Sequence, residues 1–334
     1  MLHPLRTLPT LGLTDAAAIV NEPVFGVTPI GQGSRSRVYR VETEDGAVRI
    51  IRLTPKGTGR LEREAWVRAQ FRTRHPDVPL IAEIAVNHVA IAVAADVVSM
   101  AELPGTTMFA AARTLFEPEV QTLYAQFGAG LAALHSVPVQ GFGLIDASGR
   151  GGHVSWREAF AAIAEAAIEE ARVSSLEDYI EPARATLATL GPTLDGAEGP
   201  LLLHGDAQPM NIHVHRGKIN AFFDFEFASG GDPAYELAYV EPLFEPSPTT
   251  NATAADLLGR RAAFYAGYAK NRVLPPEVPE RTRLYRLVHA LRGTEFLSVV
   301  GPQLAAPVRD ETTRAMRASL ERWLATSPSL LVGR

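Results

Sequence analysis

The spacing of apolar residues changes near residue 105. Ahead of it, runs of β-forming residues at 38–41 and 48–53 flank Glu44-Asp45-Gly46, a hairpin signal. A helix is predicted over 60–72, where Leu61, Ala65 and Ala69 recur at helical spacing. Further strands are expected around 78–84 and 89–97, and Pro104-Gly105 then interrupts the pattern. Beyond it, helical periodicity prevails. Val120, Leu123, Phe127, Leu131 and Leu134 mark one amphipathic helix, and Trp156, Phe160, Ile163 and Ile168 mark another. Helical patterns return at 253–268, 282–299 and 312–324, and a β-rich island lies between at 201–227. The layout is α+β and bilobal: a small β-rich lobe over 1–103 and a larger, mainly helical lobe over 104–334. A small ligand is expected in a cleft between such lobes.

Composition narrows the class. A chain of 334 residues fits roughly two domains. With 46% hydrophobic and 21% charged residues it can bury a core and stay soluble. The absence of cysteine excludes disulfides and thiolate metal sites and points to the cytoplasm. A net charge of −5 argues against a nucleic-acid partner. The first ten residues lack the apolar run of a signal peptide. The longest apolar stretch, 89–98, contains Asp96 and falls short of the ~20 residues of a membrane span. No membrane contact and no obligate protein partner are implied.

The island carries the chemistry. Three leucines lead into His204-Gly205-Asp206, and polar loop residues end at Asn211. A short strand turns at Arg216-Gly217 into a second one that ends on Asp224. Two acids and an amide therefore stand at the ends of a hairpin. Phosphoryl transfer needs such a set. Asp206 can accept a hydroxyl proton, while Asn211 and Asp224 offer hard oxygen ligands to Mg²⁺. Positioning and electrostatics do most of the work in that reaction. A metal site is the rival reading, because His204, His213 and His215 cluster. No distant histidine or acid completes a zinc set, so His204 is read as ordering the loop.

With His204-Gly-Asp206, Asn211, Asp224 and Gly231-Asp232-Pro233, the chain resembles the aminoglycoside-phosphotransferase and choline-kinase-like family. Gly141-Phe142-Gly143 and Ser155-Trp156 extend the resemblance ahead of the helical insert. It implies a protein-kinase-like fold, ATP as phosphate donor, Asp206 as the catalytic base, and Asn211 and Asp224 as metal ligands. Gly31, Gly33 and Ser34 would cover the phosphates, since glycines let backbone amides approach them. Arg52 stands where the kinase pattern has lysine and still offers a fixed positive charge. Glu64 is its expected ion-pair partner, with Glu62 the alternative. The Ala101 carbonyl and Leu103 amide would read adenine. Asp232 is expected to cap the helix that begins near Pro233.

There is no Gly-x-x-x-x-Gly-Lys-Ser/Thr, so a P-loop enzyme is disfavoured. Asp224 is followed too soon by Gly231-Asp232-Pro233 for a protein-kinase activation segment. The acceptor is therefore read as a small-molecule alcohol. The leading expectation is an antibiotic or other sugar-bearing natural product, phosphorylated for resistance or self-protection. A metabolic kinase for a sugar or amino alcohol is the alternative. A nucleotide-binding pseudokinase is disfavoured by the presence of Asp206, Asn211 and Asp224. Glu226, Glu236, Glu241 and Glu245 would line the acceptor's path or be solvated. Trp156, Phe160, Tyr179, Tyr235, Tyr239 and Phe244 would stack on it or pack in the core.

Overall fold

A computed structural model of the chain describes residues 8, 10–32, 36–55, 57, 59–75, 85–86, 95–172, 176–246, 252–293 and 305–325. The strand expected at 78–84, most of the one at 89–97 and the end of the helix expected at 282–299 lie outside them. The chain divides into two compact units, one of residues 1–111 with 209–226, the other of 112–208 with 227–334.

The first unit opens with helix α1 (Leu13–Val20) and strands β1 (Val24–Gln32), β2 (Arg37–Thr43) and β3 (Val48–Pro55). Helix α2 (Arg60–Arg74), strands β4 (Ala85–Val86), β5 (Ala95–Ala101) and β6 (Thr106–Thr107) and the short helix α3 (Met108–Ala111) follow. β1 to β5 form one antiparallel sheet in the order β1-β2-β3-β5-β4. Alternation sends Tyr39, Val41, Ile51, Leu53 and Val97 to one face, where they pack with Ala16 and Ile19 of α1. The Glu44-Asp45-Gly46 connection is tied by Asp45, which accepts from the Thr43 hydroxyl at 2.5 Å and the Ala47 amide at 3.1 Å.

The same unit contains the hairpin of strands Ile212–His215 and Lys218–Phe222, which pairs with β6. Its turn residues Arg216 and Gly217 both have positive φ, 51° and 73°, as a two-residue hairpin turn of the primed type requires. Pro104-Gly105 is bound to this hairpin. The Asn220 amide donates to the Pro104 carbonyl at 3.0 Å. Gly105 has φ +114° and lies so close to the Val214 carbonyl that a Cβ would collide with it.

The second unit holds helix α4 (Glu117–Leu134), strands β7 (Phe142–Ile145) and β8 (Gly151–His153), helices α5 (Trp156–Arg172) and α6 (Ile180–Leu190), and strand β9 (Leu201–Leu203). Helices α7 (Pro233–Val240), α8 (Ala254–Asn271) and α9 (Pro279–Arg292) follow, with a last described helix over Ala306–Leu324. The predicted stripe of α4 is buried at Val120, Leu123, Phe127, Leu131 and Leu134. Thr253 caps α8, its hydroxyl accepting from the Asp256 amide at 3.2 Å. The strand Ser229–Gly231 pairs with both β7 and β9, so the segment after the hairpin returns beside the strand that leads into His204. Trp156, Phe160, Tyr235 and Tyr285 meet as tilted or edge-on ring pairs with centroids 5.3–6.2 Å apart, anchoring α5, α7 and α9 to one core. No described helix is long and apolar enough to cross a membrane.

Candidate active site

The candidate residues fall into two groups, one in each unit. In the first unit, Arg52 projects from β3 and Glu64 from α2. The Arg52 Nη2 donates to both Glu64 oxygens, at 2.6 and 2.5 Å. Glu64 is thus the partner; nothing in this geometry involves Glu62. Arg52 Nη1 donates to Asp224 Oδ1 at 3.4 Å. Burial works against the charge on Arg52, but Glu64 and then Asp224 more than offset it and hold the guanidinium above its ordinary value.

The second hairpin strand stops at Phe222, short of the expected end, and Asp224 lies two residues beyond it in a left-handed conformation, φ +67°. That region is uncommon for any non-glycine residue and tolerates aspartate better than most. At the other end of the hairpin, Asn211 is buried and its carbonyl accepts from the Phe223 amide at 3.1 Å. The hairpin base is tied to α2 as well: Arg63 donates to the Glu226 carbonyl at 2.6 Å, and Arg60 pairs with the Glu226 carboxylate at 2.8 Å.

Of the expected nucleotide contacts, Gly33 and Ser34 lie outside the described residues. Gly31 continues β1 opposite Val38, beside a bulge. Ala101 ends β5, paired with Arg49, and the half-buried Leu103 follows it into the Pro-Gly turn.

In the second unit, Asp206 is half-buried. Its Oδ1 accepts from the Tyr239 hydroxyl at 2.5 Å, and the Gln208 amide donates to Oδ1 and Oδ2 at 2.8 and 3.0 Å. The Asp206 amide donates to His204 Nδ1 at 3.3 Å, so His204 orders the loop from a fully buried position. The loop is anchored from below by Glu236 of α7. Its carboxylate accepts from the His204 amide at 2.9 Å and the Gly205 amide at 2.5 Å, and meets His135 Nε2 at 2.9 Å. The Tyr268 hydroxyl lies 2.9 Å from the other His135 nitrogen. Gly205 has φ +82° against the Phe227 carbonyl, where any Cβ would clash.

Burial alone would raise Glu236; the His135 ring and the loop more than offset it and hold the carboxyl below the usual carboxylate range. Asp232 caps α7 as expected: Oδ1 accepts from the Ala234 amide at 3.0 Å, while Oδ2 binds Arg281 at 3.0 Å and the Tyr285 hydroxyl at 2.7 Å.

One expectation needs correction. Glu236 neither lines an acceptor path nor meets solvent, because its charge is consumed in holding the His204-Gly205 amides and His135. The other glutamates are also engaged: Glu226 with Arg60, Glu241 with Arg261 and Tyr265, and Glu245 with Arg286 and Arg322. Trp156, Phe160, Tyr235 and Phe244 are buried in cores, leaving Tyr179 and Tyr239 half-buried. The histidine cluster does not gather a ligand set. His213 Nδ1 faces Asn220 Oδ1 at 3.0 Å, and among the described residues no three His, Asp or Glu side chains converge as metal ligands.

Tyr239, Gln208 and the supporting role of Glu236 were missed by sequence reasoning. A usable signal existed. Once Asp232-Pro233 fixes the start of α7, Glu236 and Tyr239 stand three apart and share a face.

The model of the phosphotransferase enzyme family, APH, matches residues 26–285. No curated protein matches the chain. Among solved structures, it is similar to a thermostable mutant of aminoglycoside phosphotransferase APH(4)-Ia in ternary complex with ADP and hygromycin B. The identity is 18%, the TM-score 0.65, and the match covers 92% of this chain and 98% of that one. A putative fructosamine-3-kinase from Thermobifida fusca is 19% identical at TM-score 0.57, over 92% and 100% of the two chains. Macrolide 2'-phosphotransferase MphH from Brachybacterium faecium is 18% identical at TM-score 0.51, over 92% and 96%.

Proposed function

The chain belongs to the phosphotransferase enzyme family as a small-molecule phosphotransferase with a hydroxyl acceptor, and we propose that it transfers the γ-phosphoryl group of ATP to a hydroxyl of a sugar-bearing natural product such as an antibiotic. The observation that carries this reading is the Asp206 carboxylate, oriented by Tyr239 and Gln208 on a loop whose amides are anchored by Glu236. Asp206 takes the proton of the acceptor hydroxyl as the new O–P bond forms and the bond from the γ-phosphorus to the bridging oxygen breaks, with ADP leaving. Arg52, kept charged by Glu64, supplies a fixed cation for the phosphates. Asn211 and Asp224 fit a magnesium ion by donor chemistry, since a carboxylate and an amide carbonyl are hard oxygen ligands. Asp224 is partly exposed and already faces a positive charge, Arg52. Magnesium held there would offset the charge on the phosphates.

A second reading, a metabolic kinase for a sugar or amino alcohol, is supported by the engaged state of the four glutamates, which leaves them unsuited to hold a polycation. The likeness to a putative fructosamine-3-kinase is compatible with it. ADP release with MgATP, measured over a panel of hygromycin B, a macrolide, a fructosamine and choline, separates the two. Phosphate-monoester product from an antibiotic supports the first reading, and product from the metabolites alone supports the second. Nucleotide binding with no turnover on any alcohol or on water would instead indicate a pseudokinase.

A further inference from the structure

Arg292, the last residue of α9, is a half-buried cation held by a neutral group. The three buried arginines of α8 and α9 each meet a carboxylate: Arg260 with Glu117 at 2.6 Å, Arg281 with Asp232 at 3.0 Å, and Arg286 with Glu245. Among the described residues Arg292 meets none. Its one hydrogen bond there runs from Nη1 to the Tyr235 hydroxyl, at 3.2 Å. Glu170 of α5 acts on it through charge alone, without a hydrogen bond. A cation at a helix C-terminus meets the negative end of the macrodipole, but an exposed side chain would serve that purpose equally. Withdrawing a charge from water without a counter-charge is costly, so this position is short of an anion.

The position adjoins the candidate base. Tyr235 and Tyr239 share α7, and the Tyr239 hydroxyl donates to Asp206 at 2.5 Å. The charges acting on Tyr239 are those of Asp206, Arg292 and Glu236, so one tyrosine stands between the lone cation and the base. His289, one turn before Arg292, stacks on the Tyr235 ring with centroids 4.2 Å apart and meets the Tyr239 ring at 5.2 Å. Burial, with the Arg292 charge adding to it, pushes the His289 pKa down to about 3, so this ring brings no second positive charge. The Arg292 Nε and Nη2 are not sealed from solvent. Those two nitrogens form the side edge of the guanidinium, whose parallel N–H bonds match the two oxygens of a carboxylate.

We propose that Arg292 is a specificity residue for the acceptor and that the acceptor is an acid: a hydroxyl compound whose carboxylate docks on the Nε–Nη2 edge while its hydroxyl meets Asp206. The proposal rests on the reading of Asp206 as the base, and it narrows the sugar-bearing acceptor to a sugar acid or a conjugate with one carboxylate. A single positive charge balances a single negative one, which favours a carboxylate over a doubly charged phosphate. Asp206 and Glu236 would repel an acceptor carboxylate that lacked this partner. A partly buried pair of this kind is little screened by salt.

The test pairs each of three sugar acids, glucuronate, galacturonate and gluconate, with its neutral primary amide. ADP release with MgATP, and calorimetric binding without nucleotide, are measured for the parent, Arg292→Gln and Tyr235→Phe. In the parent the best acid should exceed its amide about tenfold in kcat/KM and in affinity, the worth of a charge-assisted pair over a neutral one. Arg292→Gln should bring that acid down to its amide and leave the amide within about twofold. Tyr235→Phe, which removes only the oxygen held by Nη1, should keep the preference. Should Arg292→Gln fail to fold, Arg292→Lys, which keeps the charge and loses the fork, should retain part of the preference. No preference for acids in the parent would overturn the proposal. So would equal losses on acid and amide in Arg292→Gln; if Tyr235→Phe matches them, Arg292 serves only to hold Tyr235. Acids bound in preference to their amides, with no ADP release from any alcohol, would support the anion contact and count against the transfer reading, a different failure.

Discussion

The two aspartates of the candidate site are held in opposite ways. Asp224 leaves its strand in a left-handed conformation and turns its carboxylate toward a guanidinium that is itself doubly bonded to Glu64. Asp206 leaves its strand on a loop pinned from beneath, and the bonds described to its carboxylate come from an amide and a phenol. A carboxylate set beside a fixed cation suits a place where charges are traded: phosphate, metal and arginine in one electrostatic balance. A carboxylate held by neutral donors suits proton transfer, because it is oriented without an added positive charge. In the proposed reaction the same residue type would thus serve two roles, according to what surrounds it.

The sharpest way to break the comparison is to neutralise each acid in turn. Asp206→Asn keeps shape and should lower kcat by roughly 10²–10⁴ with nucleotide affinity largely kept. Asp224→Ala should do the reverse, abolishing the magnesium dependence of nucleotide binding, while Asn211→Ala weakens it. Steady-state kinetics and nucleotide titrations with and without Mg²⁺ separate the two. If Asp206→Asn loses nucleotide and Asp224→Ala loses only turnover, the roles are exchanged.

Much of this was legible in the chain, and the reasons differ by residue. The α4 stripe could be read because five apolar side chains recur at helical spacing and all are buried. Strands β1 and β7 were not read, because VFGVTPIGQ and FGLI carry glycine or proline where strand propensity is lowest. The short α1, eight residues with no side-chain cap, also escaped. The Arg52–Glu64 pair could be read, since a cation on a strand and an acid early in the next helix are near in sequence. Tyr239 was harder to place: it meets Asp206 across 33 residues, and the one signal was its shared face with Glu236 on α7. Glu236 was misjudged because glutamate is seldom fully buried unless paired, and His135, its partner, is 101 residues away.

Glu236 sharpens the comparison next, because it supports Asp206 alone. Glu236→Gln leaves a buried amide facing two backbone N–H groups and His135. Losing one side of such a charge-assisted arrangement should cost ~3–5 kcal/mol in denaturant unfolding. The pH response has a definite sign. The carboxyl is held below its ordinary range in the folded chain, so its stabilisation is present at neutral pH and is lost as pH falls through that depressed value. The parent should therefore lose stability in acid more steeply than Glu236→Gln. Parallel curves would show that the carboxylate is not the stabilising form.

Arg52 gives a smaller effect on the other half. Arg52→Ala should raise KM for ATP, and Arg52→Lys should recover part of it, since a point charge replaces a fork that spans Glu64 and Asp224. If Arg52→Ala binds ATP normally, Arg35, Arg37 or Arg49 is next in line. Arg49 is already paired with Glu22 at 3.5 Å.

The smallest expected effect concerns the acceptor. A polycation held by exposed carboxylates should bind far more weakly as salt rises, because the Debye length falls from ~30 Å at 0.01 M to ~8 Å at 0.15 M. The glutamates that follow Asp224 are poor candidates for such a grip. Glu226 is committed to Arg60, Glu241 to Arg261 and Tyr265, and Glu245 to two arginines, while Glu236 is 2% exposed. Breaking one of these pairs to seat an ammonium would leave a guanidinium without its partner, so the exchange gains little. Recognition by stacking and neutral hydrogen bonds remains, and that depends little on ionic strength. KM for the best acceptor of the panel should therefore change less than about twofold across that salt range. A steep loss of affinity would place a carboxylate cluster outside these four glutamates, and charge-reversal of each remaining exposed acid would then find it.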